Sequence, residues 1–178
     1  MLKQLLFIAG MFICLHLSSQ AAFPADYLGV WKGALEIYNS KGLQQAIPMQ
    51  LHMQPITDST YTYTLIYGPD IEKGTRDYML RPGKKGPHHW VVDEKDGILL
   101  DNFYLGGVLY GPFSVMSSTL NTSMELKGKE LHYTIFGGPT EAFATSGTVT
   151  NENGEEKEIK VESFEVTFLQ RAVLKRSE

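Results

Sequence analysis

Cysteine occurs once in this chain of 178 residues, as Cys14, inside the first apolar stretch. With that stretch removed no thiol remains, which excludes disulfides, thiol catalysis and cysteine-ligated metals together. Basic runs are absent as well: Lys and Arg number 16 against 20 Asp and Glu, a net charge of -4. Such a chain lacks the electrostatic footprint of a nucleic-acid binder, so no nucleic-acid partner is expected. No Gly-x-Ser-x-Gly elbow, phosphate loop or His-Glu-x-x-His occurs, so the chemistries those motifs carry have no anchor. Internal repeats, low-complexity segments and apolar stripes at helical spacing are missing too.

What is present begins with "MLKQLLFIAGMFICLHLSSQA", residues 1–21. Lys3 supplies one positive charge, an apolar run follows from Leu5 to Leu17, and Ser19 and Ala21 are small residues at cleavage-site spacing. This is the pattern of a secretory signal peptide cut near Ala21 or Ala22. The run is shorter than the ~20 apolar residues of a spanning helix, so no transmembrane segment is expected in the mature chain. Bulky Phe12 and Ile13 precede Cys14 where lipid-anchoring signals carry small residues, so lipidation is not expected. The expected destination is the periplasm or the medium. Without Lys3 the net charge becomes -5, and residues 22–178 suit one domain with a core of its own.

Alternation of period two runs through this domain. In "IPMQLHMQ", Ile47, Met49, Leu51 and Met53 share one face opposite Pro48, Gln50, His52 and Gln54. That predicts a half-buried strand, near an edge because Pro48 has no N–H. "YTYTLIY" places Tyr61, Tyr63, Leu65 and Tyr67 on one face, and its aromatic and β-branched content favours a strand. Asp96-Gly97 and Asn153-Gly154 read as tight hairpin turns. About nine or ten strands follow, near 27–38, 44–54, 60–67, 76–81, 88–93, 98–105, 108–118, 120–127, 130–136 and 157–171. A parity change at Gly111-Pro112 predicts a bulge. Two longer stretches, 68–75 and 137–147, read as loops that can frame a mouth, the second with a helical turn around Glu141 to Ala144. The fold expected is all-β: one antiparallel up-and-down barrel of about 8–10 strands, closed to protect its edges.

On the first strand Gly29, Trp31, Gly33, Leu35 and Ile37 share a face, so the indole points inward between two glycines. This resembles the Gly-x-Trp signature on the first strand of the lipocalin-like (calycin) group. In that group an arginine or lysine of the last strand lies across the tryptophan, and the resemblance assigns that place to Arg171. Gly29, Trp31 and Arg171 are then the residues of barrel closure. A Thr-Asp-Tyr-like run has no counterpart here, which points to the broader lipocalin-like or fatty-acid-binding-like barrels. The resemblance implies binding of a small, mainly apolar or aromatic molecule inside the barrel. Strand parity proposes Tyr63, Leu65, Tyr78, Trp90, Phe103, Phe113 and Tyr133 as its lining.

Candidates for chemistry are few. His88 and His89 are adjacent and on a strand point to opposite faces; His52 and His132 read as outward, so no metal site is expected. No cofactor is expected either; a haem barrel would need a histidine late in the chain, and none follows His132. Asp93, Glu94 and Asp96 surround a turn, where carboxylates bond local backbone. In "ILLDNFYL" apolar residues occupy both faces, so either Asp101 or Asn102 joins an inward set. Asp101 is the residue carried forward, as a group that fixes the polar end of a ligand with Arg76 or Arg81 as its partner. No catalytic residue is assigned and an enzyme is not expected; a third alternative, an enzyme acting inside the barrel, needs a polar cluster such as Asp101 with an arginine or histidine. The alternative function is a ligand-free envelope interaction or structural module acting through its outer surface.

Overall fold

Alternation in the sequence becomes twelve strands among the described residues of a computed structural model, which describes residues 22–152 and 154–177. They are β1 (Gly29–Asn39), β2 (Gly42–Met53), β3 (Tyr61–Tyr67), β4 (Thr75–Pro82), β5 (His89–Asp93), β6 (Leu99–Leu105), β7 (Val108–Val115), β8 (Ser118–Lys127), β9 (Glu130–Pro139), β10 (Ala144–Glu152), β11 (Glu155–Ser163) and β12 (Phe168–Arg176). The leader read over 1–21, Cys14 with it, and Asn153 of the Asn-Gly turn lie outside the described residues. Ten strands close one antiparallel barrel in the order β1-β12-β9-β8-β7-β6-β5-β4-β3-β2, while β10 and β11 form a separate two-stranded ribbon. The barrel is an up-and-down meander from β1 to β9 that β12 closes. Such a fold is consistent with the calycin architecture. Among the described residues no helix is long and apolar enough to cross a membrane.

The inward faces of β1, β2 and β3 match their alternation: Trp31, Leu35, Met49, Leu51, Met53, Tyr63 and Leu65 are buried. Pro48 sits in a barrel without edges, yet its lack of an N–H costs little. The β2–β3 ladder ends at the pair Met49↔Tyr67, and beyond it the Pro48 carbonyl accepts from Gly68 N–H at 2.8 Å. A proline nitrogen therefore stands where no partner strand asks for a donor.

Four expectations are corrected. Residues 157–171 are not one strand: 164–167 separate β11, in the ribbon, from β12, in the barrel. No helical turn forms at Glu141 to Ala144, because β9 runs on to Pro139 and β10 starts at Ala144. Gly137 and Gly138 permit that path, since a Cβ on either would collide with the carbonyl oxygen of Thr119 or Glu165. The bulge at Gly111-Pro112 is absent as well: β7 pairs β8 residue by residue from Val108↔Glu125 to Val115↔Ser118. The register shift lies instead in the β1–β2 pair, between Ile37 and Tyr38. The stretch 68–75 holds one helical turn, α1 (Ile71–Gly74), capped by Asp70, whose carboxylate accepts from Lys73 N–H at 3.2 Å.

One barrel end is sealed by the chain that precedes β1. Tyr27, from a 3-10 turn Ala25–Tyr27, is fully buried; its hydroxyl donates to the Gly107 carbonyl at 2.9 Å and accepts from Leu126 N–H at 3.1 Å. Phe23 stacks on Tyr104 at 5.0 Å and meets Trp90 edge-on at 5.2 Å. Trp31 donates from Nε1 to the Tyr27 carbonyl at 2.8 Å. The cation across its face is Arg176, 4.6 Å from the ring, and not Arg171. Opposite partners share a face in an antiparallel pair, and β12 sets Arg176 against Trp31 but Arg171 against Glu36. Arg171 is consequently outside, donating to Glu36 at 2.9 Å and to the Tyr38 hydroxyl at 2.8 Å.

Candidate functional site

The sealed end carries the N-termini of β1, β3, β5, β7 and β9; the opposite end carries α1, the 94–98 turn and the root of the ribbon. Between them the interior is divided. Leu51, Leu80, Met124, Leu131 and Leu174, each no more than 1% exposed, fill the barrel above the aromatic plug. Toward the other end the filling stops and leaves a cavity of about 150 Å³. Its wall combines Leu65, Val92, Leu100, Phe113, Leu120 and Ile135 with the polar groups of Tyr63, Tyr67, Tyr78, Glu94, Asn102, Thr122 and Tyr133. The barrel thus has room for a ligand. The space is near that of an apolar cavity of roughly 150 Å³ that admits benzene, and below the ~300–1,000 Å³ of sites for larger ligands.

Of the residues proposed from parity, Tyr63, Leu65, Tyr78, Phe113 and Tyr133 stand on this wall. Trp90 also points inward but sits lower, against Phe23 and 6.2 Å from Tyr61 in the plug. Asp101 and Phe103 are corrected: both project from the outer face. In β6 it is Leu100 and Tyr104 that pack into the core, and the residue between them, Asn102, is the inward polar group, 6% exposed. Its Nδ2 donates to the Leu100 carbonyl at 2.9 Å. Gly111 across the sheet makes this possible, because a Cβ there would collide with Asn102 Oδ1 and Thr122 Oγ1.

Asp101 finds a different partner from the arginines expected. Its Oδ1 lies 2.7 Å from Nε2 of His89, while His89 Nδ1 accepts from Lys85 N–H at 3.1 Å. An Nδ1 that accepts places the ring proton on Nε2, which donates to the carboxylate. The ring stacks on Phe103 at 5.0 Å with planes 10° apart, and Gly83 packs against it so closely that any Cβ would clash. Asp101 and His89 together hold the 83–88 connection to the barrel wall, outside the cavity. Arg81 stands 3.4 Å from Asp93, and Arg76 donates to the carbonyls of Lys73 and Thr75 at 3.0 Å each.

Within the cavity the hydroxyl of Tyr133 engages those of Tyr63 and Tyr67. Burial is the main cause that raises all three phenols, pushing Tyr67 up to about 12, Tyr63 further, and Tyr133 well above its ordinary value. Glu94, half-buried at the open end, engages the Tyr78 hydroxyl. Burial first, and the neighbouring Asp96 second, hold its carboxyl above the usual glutamate range. Among the described residues no buried side-chain nitrogen or oxygen lacks a hydrogen-bond partner, and no group of three or more His, Cys, Asp or Glu converges as metal ligands would.

Tyr67 and Glu94 are wall residues that the sequence reading does not name, whereas Asn102 is the alternative it leaves open beside Asp101. Tyr67 continues the parity of Tyr63 and Leu65 and was legible. Glu94 continues that of Trp90 and Val92, but its turn-rich surroundings concealed it. No protein-family model matches the chain, and no curated protein matches it.

Proposed function

We propose that this protein is an exported, lipocalin-like barrel that binds one compact, mainly apolar molecule in the open half of its interior, and that it is not an enzyme. The observation that carries the reading is the cavity of about 150 Å³, walled by apolar side chains and a few polar groups, above a fully packed base. A barrel evolved only as a scaffold gains from filling its interior, because each unfilled methylene-sized space forfeits packing. Here the tyrosine hydroxyls, Asn102 and Glu94 provide separated polar contacts on an apolar wall, the composition of a small-molecule site. Export rests on the leader pattern of residues 1–21. The assignment to lipocalin-like proteins rests on Trp31 and the arginine across it together with the barrel topology.

The test is native mass spectrometry of the protein purified gently from its host compartment, with the intact mass compared before and after denaturation. A small non-covalent adduct lost on denaturation supports the reading. A bare mass, unchanged after incubation with envelope extracts and compact aromatic compounds while the barrel stays folded, overturns it.

A second reading, an interaction module acting through its outside, is favoured by the ribbon of β10 and β11. The ribbon exposes Val149, Ile159 and Val161, with Phe143 and Phe164 exposed at its root.

A further inference from the structure

The polar end of the ligand can be read from the charges around the cavity; this inference rests on the binding reading above and names the chemistry of its ligand. Five aromatic rings line the space, those of Tyr63, Tyr67, Tyr78, Phe113 and Tyr133. Among the described residues no Lys, Arg or His lines it, and the one acidic side chain that does is Glu94. That carboxylate stands half-buried at the open end with the Tyr78 hydroxyl against it. Arg76 is the cation whose charge bears on Glu94, and it does so least of the four influences there, after burial, Asp96 and Tyr78. Its guanidinium is already committed to two backbone carbonyls.

A carboxylate drawn partly out of water is costly unless a donor or a positive charge meets it. Aromatic faces attract cations through their quadrupoles, and more so away from solvent. An anionic ligand would meet Glu94 and Asp96 with no lining cation to pair with, and a neutral ligand would leave the carboxylate to Tyr78 alone. We infer that the cavity takes a compact organic cation, its ammonium beside Glu94 and Tyr78 and its apolar body directed inward toward Tyr63 and Tyr133.

The experiment is calorimetric titration of the folded mature barrel with three probes of one shape: benzylamine, benzyl alcohol and benzoate. Benzylamine is expected to bind about tenfold more tightly than benzyl alcohol, with benzoate weakest. Glu94→Gln is expected to remove that preference, so that amine and alcohol bind the variant about equally. Amine affinity should fall as pH is lowered through the Glu94 range, because protonation removes the charge the ammonium needs. The groups facing Glu94 are Asp96, Arg76 and Tyr78, and loss of the pH dependence in Glu94→Gln assigns it to Glu94. Equal binding of amine and alcohol, or tighter binding of benzoate, overturns the cation inference and leaves the ligand-binding reading intact. Failure of all three probes to bind a folded barrel overturns both.

Discussion

The guanidinium of Arg176 lies 4.6 Å over the indole of Trp31, joining the last strand of the barrel to the first at its sealed end. Its NH2 group also donates to the Asp26 carbonyl at 2.7 Å, so one side chain holds β12, β1 and the plug together. Gly29 beside it adopts φ +125, a backbone conformation that favours glycine, and the arginine stem packs at ordinary contact distance from it. Arg176→Ala is expected to cost about 1 kcal/mol, a drop in Tm of roughly 2–4 °C. Arg171→Ala should leave Tm unchanged, because its contacts with Glu36 and Tyr38 lie in solvent. Thermal melts of the two variants side by side check this, and equal losses would refute the assignment.

Gly33 faces Leu174 across the β1–β12 ladder, and a Cβ there would press into the Val173 carbonyl oxygen and the Leu174 side chain. Backbone cannot move aside as a flexible side-chain end can. Gly33→Ala is expected to destabilise by about 2–3 kcal/mol in urea unfolding. A cost below 1 kcal/mol would mean that the strands separate more easily than this packing implies.

Alkaline pH should weaken the fold through the cavity tyrosines. Unfolded, these phenols ionise near 10.0, whereas in the barrel Tyr67 is pushed up to about 12, Tyr63 higher still, and Tyr133 well above its ordinary value. Above the unfolded value the unfolded chain binds fewer protons than the native one, so stability declines as pH rises toward the folded values. Below it the contribution is fully present. Urea midpoints measured from neutral pH upward should fall beyond about pH 10, and Tyr67→Phe should make that fall shallower.

Asp101 and Asn102 should separate cleanly by readout. Asp101→Ala removes the acceptor of His89 Nε2 outside the barrel, so the Lys85 amide should exchange hydrogen faster while ligand affinity is unchanged. Asn102→Ala alters the cavity wall and should change affinity for whichever probe binds, at about 1 kcal/mol of stability. The reverse pattern would place the functional wall on the wrong face of β6.

Among the described residues the ribbon pairs with nothing but itself in the sheet topology, and β11 is exposed along its whole length. Two strands without a third are marginal in water. Amides of Ala144–Glu152 and Glu155–Ser163 should exchange at least about 100-fold faster than those of β8 and β9, as hydrogen-exchange mass spectrometry would register. Equal protection would mean that the ribbon is held by something beyond its own pairing.

Much of the barrel was legible in the sequence, because alternation in "IPMQLHMQ" and "YTYTLIY" states which residues must face one core. Glycine-containing turns marked where strands end. β6 resisted the same treatment: Leu99 and Leu105 are more than half exposed, while Leu100 packs inward. With apolar residues on both faces, alternation cannot choose a side, and pairing with β5, where Trp90 opposes Asn102, makes the choice. β7 failed for a related reason, since Gly111 has no side chain to reveal that it is the inward position.

What the sequence by itself determined is the all-β character, the position of most strands and the inward place of Trp31, since period and turn chemistry are local properties of the chain. Only the tertiary structure decided that Arg176 rather than Arg171 crosses Trp31, that Asn102 rather than Asp101 faces inward, and that packing stops short of one barrel end. Each depends on register between distant strands, and a slip of one residue exchanges the two faces of a strand. Register is set by closing the whole barrel at once, so no single segment contains it.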